Sequence, residues 1–167
     1  MPPPSSRPII AVVAAMKTLK TSALLQEKAC AVLQKLAANN NNNKVAISAA
    51  GGIVAVMAAM QAHMTSAGVQ QNSCGALMNL ASDPDNRVAV AAAGGIEAVA
   101  TAMKAHQASA LLQQRACAAL LSLACNASLK GRIKAAGGVE LAKRAVSASD
   151  ATALTKDYGK RLLDKLA

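Results

Sequence analysis

Apolar and polar positions along the chain follow a helical period rather than strict alternation. Ile96, Val99, Ala100 and Met103 recur at spacings that place them on one helical face, and so do Cys74, Leu77 and Leu80, with Ala81 beside them. No alternating stretch competes as a strand. The pattern is also periodic over a longer distance. "AAGGIVAVMAAMQAH" (49–63), "AAGGIEAVATAMKAH" (92–106) and "AAGGVELAKRAVSAS" (135–149) are copies of one phrase, their glycine pairs spaced by 43 and 43 residues. A second phrase reads "LQEKACAVLQKLA" (25–37), "VQQNSCGALMNLA" (69–81), "LQQRACAALLSLA" (112–124) and, degenerate, "TKDYGKRLLDKLA" (155–167), at offsets of 44, 43 and 43. Repetition at this period is the mark of a solenoid or array.

Each unit predicts three helices. The first is short ("NKVAISAA", "NRVAVAAA", "LKGRIKAA") and stops at the glycine pair, which permits the backbone angles of a sharp corner. The second helix follows the glycines. A Ser/Ala-rich turn leads to the third. In the earliest copy, "IIAVVAAM" (9–16) matches "IVAVMAAM" (53–60), but Arg7 and Pro8 stand where the glycines would be. The expected organisation is a disordered Pro-rich lead over residues 1–8, a partial unit over 9–37, and whole units over 38–81, 82–124 and 125–167. The extra residue of the 44 offset falls in the asparagine run 39–43, expected to be a tolerant loop.

Composition sharpens this. Hydrophobic residues make up 53% of the 167, with no Phe, no Trp and one Tyr, and about a quarter are alanine. Such a chain is all-α, its helices packed through small side chains. No apolar run approaches the length of a membrane span. The first residues carry no signal-peptide pattern, and Pro2 stands where myristoylation would need a glycine. The formal charge of +10 is uneven. Residues 1–35 hold five basic and one acidic group (+4), 36–129 four and three (+1), and 130–167 nine and four (+5). Basic ends favour acidic partners or solubility.

The chemistry-bearing residues repeat singly, once per unit. Cys30, Cys74 and Cys117 share one helical position and read as small buried hydrophobes, while Cys125 stands alone in a loop; no spacing fits zinc. Their pattern fits a reducing intracellular compartment, cytoplasm foremost, with nucleus and organelle open. His63 and His106 end equivalent second helices, where the helix dipole favours them. Met57, Met60, Met64, Met78 and Met103 read as core fillers. No Lys-Ser/Thr follows the glycines and no GxGxxG occurs, so they do not cradle phosphate. No carboxylate pair or nucleophile–base arrangement is evident. The expectation is a non-enzyme without cofactor, metal or small-molecule substrate.

The period of 43, the glycine corner and the pieces "DNRVAVAAAGGIEAVATAMK" and "CGALMNLA" together resemble the armadillo repeat, over roughly residues 9–167. HEAT repeats have a similar period but two helices and no glycine corner. The resemblance implies a right-handed α-solenoid whose third helices line a concave groove for partner proteins. In peptide-binding members, third-helix asparagines clamp an extended peptide and tryptophans one turn earlier form pockets. Here the asparagine position holds Lys35, Asn79, Ser122 and Lys165, and the tryptophan position holds Ala31, Gly75, Ala118 and Arg161. Only Asn79 matches, which argues against a nuclear-import-type clamp, and members that bind long peptides are usually longer. The candidate partner-binding row is Lys35, Gln71, Asn79, Gln114, Ser122, Arg161 and Lys165. The charged last copy reads as a cap. The expected role is a protein-interaction scaffold. The alternatives are RNA phosphates in a ribonucleoprotein such as a ribosome, or acidic protein tails such as those of tubulin.

Overall fold

Helix formation follows the repeated phrases. The computed structural model describes residues 6–167. The partial unit is α1 (Arg7–Thr18) and α2 (Ala23–Ala37). The next unit is α3 (Asn41–Ala49), α4 (Gly52–Ala62) and α5 (Ala67–Leu80), followed by α6 (Pro84–Ala92), α7 (Gly95–Ala105) and α8 (Ala110–Leu123). The last is α9 (Lys130–Ala135), α10 (Gly138–Ser147) and α11 (Ala153–Leu166), entered through a 3₁₀ turn, Ala127–Leu129. No strand occurs among the described residues. Equivalent helices stack: α2 on α5, α5 on α8 and α8 on α11 in one row, and α1, α4, α7 and α10 in another. The architecture is an α-solenoid.

The two glycines of each corner divide the work. Gly51, Gly94 and Gly137 take φ of +80°, +83° and +89°, the left-handed region that side chains disfavour and that ends helices. Gly52, Gly95 and Gly138 have ordinary φ but no room: a Cβ there would lie 2.8, 2.8 and 2.7 Å from the carbonyl oxygens of Ile47, Val90 and Ile133. The first glycine turns the chain and the second lets the next helix start against the one just ended. At the corners joining α3 to α4 and α6 to α7 the helices bend by 70°. Among the described residues no single helix is long and apolar enough to cross a membrane.

Capping repeats as faithfully as packing. Ser22, Ser66 and Ser109 accept the N–H groups of Leu25, Val69 and Leu112 at the start of the third helices, and Thr152 accepts from Thr155 in the last. Loss of such a cap costs about 1 kcal/mol. Behind each serine cap lies a buried glutamine. Gln26, Gln70 and Gln113 donate through Nε2 to two carbonyls of the preceding helix and turn: Met16 and Leu19, Met60 and His63, Met103 and His106, at 2.8–3.1 Å. This bracket sets the turn between second and third helices in three units. The core runs beside it in columns of equivalent side chains: Ile9, Ile53 and Ile96; Met16, Met60 and Met103; Leu33, Leu77 and Leu120. Burying one such side chain contributes about 1.5–3 kcal/mol.

Three expectations are revised. The lead expected over 1–8 falls outside the described residues at 1–5, but Arg7 and Pro8 open α1; a proline in the first helical turn lacks only an N–H that would have no intrahelical partner. The asparagine run is no loop. Asn39 takes φ +53°, Asn40 caps α3 by accepting from Asn43 N–H, and Asn41–Asn43 form the first helical turn. Asparagine's tolerance of the left-handed region and its capping oxygen make a helix start from what composition presents as low complexity. Met64 is not a core filler: it is 60% exposed, because it lies past the end of α4, where helical spacing no longer applies.

Candidate partner-binding row

The third helices bring the predicted row into register. Lys35 lies in the last turn of α2, Gln71 and Asn79 on α5, Gln114 and Ser122 on α8, and Arg161 and Lys165 on α11. Lys35, Arg161 and Lys165 are exposed; the four middle residues are half-buried. The row thus has cationic ends and a neutral polar middle.

Several of these groups are engaged within the solenoid. Asn79 Nδ2 donates to the Gln34 carbonyl at 2.8 Å. Gln114 Oε1 accepts from the Thr152 hydroxyl at 2.8 Å. Arg161 pairs with Asp157 one turn earlier at 3.2 Å, an exposed pair of small energetic weight. The positions where peptide-binding armadillo proteins carry tryptophan are closed in the middle units. Gly75 is buried under Gln34, whose amide carbon would stand 2.6 Å from a Cβ there, and Ala118 is 4% exposed.

A ladder of ties that residue type alone did not reveal runs through this row. Asn72 Nδ2 donates to Glu27 O at 3.3 Å. Arg115 Nη1 donates to Gln71 O at 3.3 Å and to Asn72 Oδ1 at 2.8 Å. Together with Asn79 and Gln34, these follow one rule: the side chain at a position reaches the carbonyl one residue earlier in the preceding unit. The readable signal was the alignment itself, which places Arg115 opposite Asn72. The histidines join units too. His63 Nε2 lies 2.7 Å from Lys20 O and His106 Nε2 2.8 Å from Met64 O; a carbonyl only accepts, so the proton sits on Nε2. Each histidine caps a second helix and staples it to the unit before.

The cysteine column lies beneath the row. Cys30, Cys74 and Cys117 are fully buried. Burial pushes their thiols up, to about 11 for Cys30 and about 12 for Cys74 and Cys117. For Cys30 a hydrogen bond from Ser73 Oγ, at 3.3 Å, partly offsets this. Thiols so shielded are poor nucleophiles. Cys125 is exposed in the turn after α8. Among the described residues no group of three or more His, Cys, Asp or Glu could hold a metal ion.

No family model matches the sequence, and no curated protein matches it. Solved structures do. An engineered protein from the Northeast Structural Genomics Consortium superposes with a TM-score of 0.81 at 25% identity, covering 95% of this chain and 62% of that one. Two further engineered proteins from the same consortium give TM-scores of 0.57 and 0.53 at 21% and 18% identity, covering 95% and 96% of this chain and 47% and 90% of theirs. This chain therefore spans less than two thirds of the length of the first. These likenesses establish a shared helical-repeat fold.

Proposed function

We propose that the chain is an armadillo-type, right-handed solenoid acting as a non-enzymatic interaction scaffold, its third-helix row docking a protein partner. The observation that carries this reading is the register of the row. Four stacked helices present Lys35, Asn79, Ser122 and Lys165 at one equivalent position, on a frame whose repeated glutamines and histidines are occupied within the solenoid, as is Asn79 Nδ2. With the tryptophan positions closed, the row suits an acidic surface or helix better than an extended peptide. The test is a pull-down from native extract with and without nuclease, wild type against a Lys35→Glu, Ser122→Glu, Lys165→Glu triple variant. Scaffolding requires the same protein partners after nuclease and their loss in the variant. Partners that survive the triple substitution would overturn the row.

One observation favours a second reading. In the last unit, Lys134, Lys156, Lys160 and Lys165 are exposed and in no ion pair among the described residues. Such a patch would neutralise RNA phosphates, with binding that falls steeply with salt and ignores sequence. Partners that vanish on nuclease treatment would favour it; acidic tails such as tubulin's would instead persist.

A further inference from the structure

The three corners differ in one respect. At the first, Lys17 of α1 reaches across to the end of α3 and donates through Nζ to the carbonyl of Ala50, at 3.2 Å. At the third, Lys104 of α7 does the same to Ala136 at 3.4 Å. In the alignment, the residue between Lys17 and Lys104 is Gln61, and the carbonyl between Ala50 and Ala136 is that of Ala93. Among the described residues no side chain donates to Ala93 O. The space around the first glycine of each corner differs accordingly. A Cβ on Gly51 would meet Lys17 Nζ at 3.0 Å and one on Gly137 would meet Lys104 Nζ at 3.9 Å, whereas one on Gly94 meets nothing within 4 Å.

At this middle junction the second helices leave a cleft. Between α4 and α7 it measures about 770 Å³, against about 160 Å³ at the equivalent α1–α4 junction, where Lys17 lies in the gap. Its walls are mostly apolar, with Met57, Met60 and Met64 on one side and Ala98, Ala102 and Ala105 on the other; Gln61 and Thr101 also line it. Its polar end holds the Ala93 carbonyl at the C-terminus of α6, where the helix dipole is negative, and Glu97. The Glu97 carboxylate is held by Arg132 at 2.9 and 3.0 Å, so that pair is neutral and the unsatisfied attraction comes from the carbonyl end of α6.

We infer that this cleft seats an alkylammonium group, the side chain of a lysine from a partner polypeptide, in the place that the chain's own lysines fill at the other two corners. A four-carbon stem lies along the methionine and alanine walls, and the ammonium donates to Ala93 O as Lys17 donates to Ala50 O. The seat is on the second helices, away from the third-helix row, and stands whether or not that row binds a partner.

The test is an NMR titration of the full chain with n-butylammonium, read at the Gly94 and Ala98 amides, with n-butanol as the neutral isostere. Butylammonium is expected to saturate in the millimolar range and butanol to bind about tenfold more weakly, the difference a charge-assisted hydrogen bond makes. Gln61→Lys, at an exposed site, should abolish the response and raise Tm by about 2 °C. Lys104→Gln should create a second set of shifts at Gly137. A tripeptide Ala-Lys-Ala should bind more tightly than butylammonium, and its Nε-acetylated form should not bind. Equal binding of butanol, or an undiminished response in Gln61→Lys, overturns the site. A tripeptide no tighter than butylammonium overturns the polypeptide as its occupant.

Discussion

The two ends of the solenoid are built differently. On α1 and α2, Leu24 and Val32 are exposed beside half-buried Val12 and Leu25, around an open hollow of about 390 Å³. Three of these positions are covered in the interior units: Val56 and Val99 stand for Val12, Val69 and Leu112 for Leu25, and Ala76 and Ala119 for Val32, all 0% exposed. On α11 the register positions that carry Cys30, Ala31 and Gln34 in the first unit carry Lys160, Arg161 and Asp164, all exposed. One end has interior chemistry in a surface location; the other has surface chemistry written into interior positions. Polar residues at three fixed register positions thus distinguish the outer face of α11 from that of α1 and α2.

The sharpest way to break this comparison is to place the same residue at equivalent positions. Ala76→Lys buries an unpaired ammonium and should cost more than about 3 kcal/mol; Val32→Lys, on the open face, should stay within about 0.5 kcal/mol. Chemical denaturation of both variants decides, and equal losses would mean that the open face is covered in solution. Next in size is the glutamine bracket. Gln70→Ala leaves two carbonyls without their donor and should cost about 2–3 kcal/mol. Gln26→Ala should cost about half as much, because one of its acceptors, Leu19, lies at the exposed end.

The thiols sharpen the comparison further. Their pKa values are raised on folding, so the stability they confer is complete below the ordinary thiol range. It is lost as pH climbs from about 9 towards 11–12, since only the unfolded chain ionises freely. Stability should therefore fall across that window, and Cys74→Ala should flatten the fall by about 1 kcal/mol at pH 10, read by denaturation at pH 8 and 10. The smallest effect is kinetic. Under iodoacetamide at pH 8, Cys125 should label at once, then Cys30 in the open-ended unit, and Cys74 and Cys117 last, by peptide mass spectrometry. Labelling of Cys117 before Cys30 would put the weaker end at α11.

Repetition made the frame legible. Three glycine pairs in one register announced the corners, and the apolar positions of the third helices announced the core. What stayed hidden were donors whose partners are carbonyls. Gln26, Gln70 and Gln113 recur in the first three copies of the third-helix phrase, yet a glutamine in a helix reads as a surface residue until the turn folds back over it. Asn79 alone matched the asparagine pattern of peptide-binding armadillo proteins by type and position, but its amide reaches the Gln34 carbonyl, since an asparagine serves a neighbouring unit as readily as a ligand. The asparagine run misled because cap and first turn use the same residues that loops do.

Many of the ties between and within units share one property. The glutamines, Asn72, Asn79, Lys17, Lys104 and both histidines all bond main-chain oxygens. A carbonyl is present whatever residue bears it, so only one partner in each of these ties is specified by the genetic code. The accepting positions are free to drift without a compensating change, and a repeat can diverge from its neighbours while still fastening to them. Tandem copies that began alike can thus acquire separate surfaces without first losing their grip on one another.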